Sequence, residues 1–238
     1  MDGSGASPAP YGAKAPIEAR QWPQTLSAHV VEPGSAPRIH GLDVQGDLAR
    51  NYGASDVAFA ALTGDLPVDD AASRALQVAL AFLAPVSVAE PPAHAGALAR
   101  ICGARIAGIV AVTAVALAEQ ARMLYETHEV VIPRLLIGSL NGIAASFAPK
   151  DDAERAAVQR LRDALGPFCA RVPAIGFDLR LDTALFAVLL ACGLRTREQL
   201  EVIITCARLP VACAEALAWK AGDLRAYPMD TPHFEYVR

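Results

Sequence analysis

Between Arg180 and Arg208 the chain reads RLDTALFAVLLACGLRTREQLEVIITCAR. One carboxylate, Asp182, stands at the head of an apolar helix that Cys192-Gly193-Leu194 brings to a stop. A second helix follows, and Arg208 lies near the start of a third, where Pro210 suits a first turn and Gly222 an end. Helix after helix with tight stops is the text of an all-α chain. Composition agrees. Hydrophobic residues make up 53% of the 238 positions, but aromatics only 6%. Alanine costs least in a helix, and the aromatic residues that favour strands are scarce.

Charge and cysteine usage narrow the function classes. A net charge of -4 offers no basic field for nucleic acid. The five cysteines show no C-x-x-C spacing; Cys102, Cys192, Cys206 and Cys213 lie in apolar helical text and read as reduced, buried residues. No zinc-ligand cluster is visible, so no metal is expected. The N-terminus lacks a basic-led apolar run. The most apolar stretch, Ile106–Ala118, is bounded by Arg105 and Glu119 and is shorter than the roughly twenty residues that span a bilayer. It reads as a buried core helix, with no membrane partner and a cytoplasmic location.

In chain order, residues 1–21 are rich in Gly, Ala, Pro and Ser and form a loose arm. Trp22–Val31 suggests a short strand, followed by a turn over Glu32–Pro37. Two short helices occupy His40–Asp70; Ser55 is a fair N-cap for Asp56–Thr63, and Gly64 and Pro67 end that helix. Asp69 caps a helix with apolar residues at helical spacing up to Pro85. A long helix runs over Ala104–Tyr125, apolar almost all round in its first half and therefore buried. A charged amphipathic helix begins at Asp151 or Asp152.

The run HGLDVQGDLA, then ASDVAFAALTGDLP at 54–67, resembles the citrate synthase superfamily pattern R-G-Y-D-I-x-D-L-A followed by a helix and L-x-G-E-L-P. The 180–208 stretch resembles the same family's C-terminal signature, and the overall length is most like the short citryl-CoA lyase-like branch. The resemblance covers nearly everything after residue 22. It implies an all-α, citrate synthase-like multi-helix fold over residues 22–238, a large helical domain with a small helical subdomain at about 134–200. It also implies a homodimer.

What the resemblance implies for chemistry falls on particular residues. Asp182 matches the family's catalytic aspartate, the base that takes a proton from the acyl-CoA methyl. Arg208, Arg155 and Arg225 match arginines that hold substrate carboxylates, Arg225 reaching into the neighbour's site. Three family histidines have no counterpart. Glu90 stands where one normally falls, and His94, four positions on, is either a displaced substitute or a half-exposed residue in a first helical turn. Arg122 stands opposite the histidine of G-P-L-H-G-G. Arginine cannot donate a proton near neutral pH, so Arg122 is either a fixed cation for an oxyanion or half of a helix-end pair with Glu119. His128 is a relocated histidine or a surface residue at a helix end. The glycine-rich loop for the CoA nucleotide is reduced to Gly138, Ser139, Asn141 and Gly142, a weak signal for backbone N–H groups that approach a phosphate. Two functions follow. One is carbon–carbon cleavage or formation on an acyl-CoA or dicarboxylate, with Asp182 as base and no cofactor beyond a coenzyme A thioester as substrate. The other is a non-catalytic homologue that binds a carboxylate or a partner subunit.

Overall fold

Helices carry the chain. The computed structural model describes residues 25–140 and 147–222. The expected arm at 1–21, Trp22, Asn141, Gly142 and Arg225 all lie outside the described residues. Three two-residue strands, β1 (Val31–Glu32), β2 (Arg38–Ile39) and β3 (Leu42–Asp43), form an antiparallel ribbon with Val31 opposite Ile39 and Ile39 opposite Leu42. Within the stretch expected as a strand up to Val31, only Val31 itself is in β1. The Asp43 carboxylate accepts from the N–H groups of Gln45 and Gly46 and starts a wide turn at Val44–Leu48, which tightens into α1 (Ala49–Asn51).

The start of α2 (Ala54–Thr63) corrects the expected Ser55 cap. The cap lies two residues earlier, at Gly53, where the Asp56 carboxylate accepts from the Gly53 N–H at 3.0 Å. Ser73 then donates to Asp56 from the next helix at 2.6 Å, so a 3% exposed carboxylate keeps its partners. Gly64 ends α2 at φ 88, and Asp69 caps α3 (Asp70–Leu83) through the Ala72 N–H. The remaining helices are α4 (Pro91–Ile101), α5 (Ile106–His128), α6 (Ile132–Ile137), α7 (Asp152–Leu165), α8 (Leu181–Cys192) and α9 (Arg197–Ala218), with two short 3₁₀ segments, Gly166–Arg171 and Pro173–Gly176, between α7 and α8.

The molecule is organised around α8. Every residue from Thr183 to Leu190 is buried, and α3, α6 and α7 pack around it. Each of its large apolar side chains contributes about 1.5–3 kcal/mol by leaving water. Gly193 closes the helix at φ 116, a left-handed conformation that a side chain would strain. A second layer joins α4, α5 and α9 around Val86, Ala93, Leu117 and Ala212. Gly96 of α4 sits in that layer. A Cβ added there would meet the Thr113 hydroxyl at 2.5 Å and the Ala216 Cβ at 3.1 Å. Gly96→Ala is therefore expected to cost about 1–3 kcal/mol by overpacking, read as a lower urea midpoint; an unchanged midpoint would mean that α4 moves freely.

Three expectations change in this layer. The text from Arg197 to Ala218 is one continuous helix with Pro210 inside it, not two helices. Packing of α9 on α4 and α5 holds the line of the helix across the missing N–H. Cys206 is exposed rather than buried, whereas Cys192 is buried and its thiol is pushed up to about 12 by burial. The largest change concerns α5. Only Ile109, Thr113, Leu117, Ala121 and His128 are buried along it; Val110, Val112, Val115 and Met123 are exposed, Val115 by 67%. A helix apolar all round was expected to be covered on every side, but α4 and α9 cover one face only. At 23 residues α5 is also long and apolar enough to cross a membrane by length and composition.

Candidate active site

A cleft of about 400 Å³ opens where the end of α3, the middle of α5, the start of α8 and the middle of α9 meet. Its walls are mostly apolar; Phe82, Leu124, Leu181, Leu185 and Ile204 face it. The polar groups that line it are Asp182, the Thr127 hydroxyl, and a cluster of Arg208, Glu90 and Gln120.

Asp182 lies in the first turn of α8, where the helix dipole favours a negative charge. Its Oδ1 accepts from the Thr183 N–H at 2.7 Å and its Oδ2 from the Arg180 guanidinium at 2.5 Å. Behind it lies His128, with no exposed surface. Its Nδ1 is 2.8 Å from the Leu124 carbonyl, which can only accept, so Nδ1 carries a proton. Nε2 lies 3.0 Å from the Thr183 hydroxyl and 3.4 Å from Asp182 Oδ1. A neutral ring accepts the hydroxyl proton; a charged ring donates, and the Thr183 hydroxyl is then released towards Asp182 Oδ1 at 3.1 Å. Burial pushes the Asp182 carboxyl up, but the hydrogen bond and charge of His128, the Arg180 charge and the Thr183 N–H outweigh it and hold it below the ordinary carboxylate range. Asp182 is thus an ionised acceptor at neutral pH.

On the other side, Arg208 donates to the Glu90 Oε2 at 2.6 Å and to the Gln120 side-chain oxygen. Gln120 donates in turn to Glu90 Oε2 at 2.9 Å, and the Ser87 N–H donates to Oε1 at 2.9 Å. Burial raises the Glu90 pKa, but the Ser87, Gln120 and Arg208 bonds bring it below its ordinary value. Both cleft carboxylates therefore bind fewer protons folded than unfolded in acid. Their contribution to stability is complete above the ordinary carboxylate range, about pH 4, and is lost as pH falls through the lower folded values. Urea midpoints measured from about pH 6 down to pH 3 should fall less steeply in the Asp182→Asn, Glu90→Gln double variant; an identical slope would place the acid-sensitive groups elsewhere.

The structure brings Asp182, Glu90 and Arg208 to one cleft and sets the other candidates apart. Arg122 does not line it. It bridges Glu119 at 2.9 Å and Glu126 at 2.8 Å on the outside of α5, the spacing of an ordinary helix-surface pair. Arg155 lies on α7, bound to Asp152 and Asp178 and half exposed. His94 is in the first turn of α4, half-buried and off the cleft lining. Gly138 ends α6 at φ 64. His128 is the correction in the other direction: α5 runs past Tyr125, and its last turn carries the ring inward against Phe186, ring centres 4.7 Å apart, rather than to the surface. Gln120, Arg180 and Thr183 were missed. Each flanks a residue that was singled out, but a Gln beside a Glu in a helix carries no signal of its own. Among the described residues no three His, Cys, Asp or Glu side chains converge as a metal site requires.

No protein-family model and no curated protein matches the sequence. Solved structures do match in shape. Citryl-CoA lyase from Hydrogenobacter thermophilus superposes with a TM-score of 0.58 at 16% identity, covering 92% of this chain and 96% of that one. The fold is all-α and citrate synthase-like. ATP citrate lyase from Methanothrix soehngenii, solved with citrate and coenzyme A, gives a TM-score of 0.57 at 13% identity, over 93% of this chain but 43% of that longer one. A mutant ATP citrate lyase from Methanosaeta concilii, solved with (3S)-citryl-CoA, gives 0.53 at 14% identity, over 84% of this chain and 40% of that one. In this frame α8 is the buried central helix, and Asp182 at its head lines the cleft.

Proposed function

We propose that the cleft takes an acyl thioester such as acyl-CoA and that Asp182 handles the proton on the carbon beside its carbonyl, in carbon–carbon cleavage or formation of the citryl-CoA lyase type. The observation that supports this most is an ionised carboxylate at the N-terminus of the buried α8, facing an apolar cleft and backed by a buried imidazole. In the bond-forming direction the Asp182 carboxylate accepts the proton and the carbon becomes the nucleophile; in the cleaving direction it returns the proton to the carbon that leaves. Thr183 and His128 hold the carboxylate in place while its charge changes. Arg208, paired with Glu90, stands on the opposite side of the cleft.

One test is proton exchange. Deuterium should wash into the carbon beside the carbonyl of acetyl-CoA in the presence of the wild-type protein and not with Asp182→Asn. Absence of exchange with either would leave the second reading, a ligand-binding member without turnover. A specific observation favours that alternative: among the described residues no histidine lines the cleft, and Glu90 occupies Arg208.

The exposed apolar face of α5 supports a homodimer. Val112 and Val115 on one chain would be covered by the same face of a second copy. Val115→Glu is expected to convert a dimer to a monomer in sedimentation velocity without loss of helicity; a monomeric wild-type protein would remove the idea.

A further inference from the structure

The cleft has no spare positive charge among the described residues, and its walls are apolar; from this we infer that the acyl group of its thioester ligand is an uncharged aliphatic chain, not a polycarboxylate. The inference rests on the thioester reading above and names the acyl group.

The first strand of the argument is a charge inventory. Asp182 is matched by Arg180, which donates to it from behind, and Glu90 is matched by Arg208. Arg208 is the one Lys or Arg among the described residues that lines the cleft, and both of its terminal nitrogens are engaged, by Gln120 and by Glu90. Arg155, which the family resemblance offered as a second carboxylate grip, is held on α7 by Asp152 and Asp178. A ligand with two or three carboxylates would have to pull Glu90 off Arg208. That would leave two acidic groups, Glu90 and the ligand, competing for one guanidinium in a half-buried site, where removing one partner of an ion pair is costly.

The second strand is the shape of the remaining space. Between the two paired charges lie Phe82, Leu83, Leu124, Leu181, Leu185 and Ile204, with Met123 at the open side, 61% exposed. Apart from the Thr127 hydroxyl, whose proton goes to the Met123 carbonyl, such walls offer a carboxylate nothing to bond, but they gain from each methylene they cover. The volume of about 400 Å³ is within the range of small-molecule sites. That space admits a thioester group at the Asp182 end with an aliphatic tail along Leu185 and Ile204.

The test is a chain-length series by isothermal titration with neutral S-acyl-N-acetylcysteamine thioesters, from acetyl through butyryl to hexanoyl, beside succinate and citrate. Binding should tighten about fourfold for each added methylene, and citrate and succinate should bind more weakly than the hexanoyl thioester. Met123→Glu, at an exposed position whose replacement leaves the core intact, should weaken the hexanoyl thioester at least tenfold and the acetyl thioester far less. Glu90→Gln should gain affinity for citrate, because it frees Arg208. Citrate binding to the wild-type protein more tightly than the hexanoyl thioester overturns the inference, and so does affinity that is flat with chain length or undetectable throughout. A chain-length trend without deuterium exchange would sink the catalytic reading alone and leave the acyl preference standing.

Discussion

His128→Ala is expected to lower the stability of the folded chain by about 3–5 kcal/mol, the range for truncating a fully buried ring. Two losses add. The ring has no exposed surface and packs against Phe186 at 4.7 Å and Phe147 at 5.5 Å between centres, so its removal opens a void that the surrounding helices cannot fill. Its polar atoms also leave the Thr183 hydroxyl without its imidazole partner and Asp182 without the buried group that favours its ionised form. For a chain of this size the midpoint of thermal unfolding should fall by roughly 10 °C. Guanidinium unfolding followed by circular dichroism measures the change directly. A loss under about 1 kcal/mol would show that α5 relaxes inward and that the ring is not part of the core. His128→Phe separates the two losses: it restores the volume, and what remains missing belongs to the hydrogen bonds.

The second large effect concerns chemistry. Asp182→Asn should reduce deuterium exchange at the acetyl-CoA methyl by about 10²–10⁴-fold, the usual contribution of a positioned general base. The fold should survive, because an amide oxygen can still accept from the Thr183 N–H that bonds Asp182 Oδ1 at 2.7 Å. Near-ultraviolet circular dichroism checks that survival, and mass spectrometry of the recovered thioester reads the exchange. Equal exchange rates for the two proteins would remove Asp182 as the base, whatever the cleft binds.

The elements of the fold were legible where local rules decide them. Asp69 and Asp151 cap α3 and α7 because a short carboxylate satisfies orphan N–H groups, and Gly64 and Gly193 end α2 and α8 because they take positive φ. Asp182 was legible for the same reason, as a carboxylate at the head of an apolar helix. Arg208 and Glu90 were each singled out as substrate groups, yet that they grip one another, 118 positions apart, has no trace in either neighbourhood. Arg122 shows the reverse. Its partners Glu119 and Glu126 lie at i−3 and i+4, so a surface pair was readable from spacing, and the structure places it there rather than in the cleft.

The amino-acid order alone therefore determined the all-α character, the starts of α3 and α7, the ends of α2 and α8 and the placement of a carboxylate at the head of the central helix, because caps, stops and apolar runs act within a few residues. Only the tertiary structure decided that His128 turns inward against α8, that Pro210 is carried inside an unbroken α9, that one face of α5 is left bare and that the cleft's charges are already matched. Those outcomes depend on which helices pack together, and packing is settled by contacts between segments far apart in the chain, which no local pattern encodes.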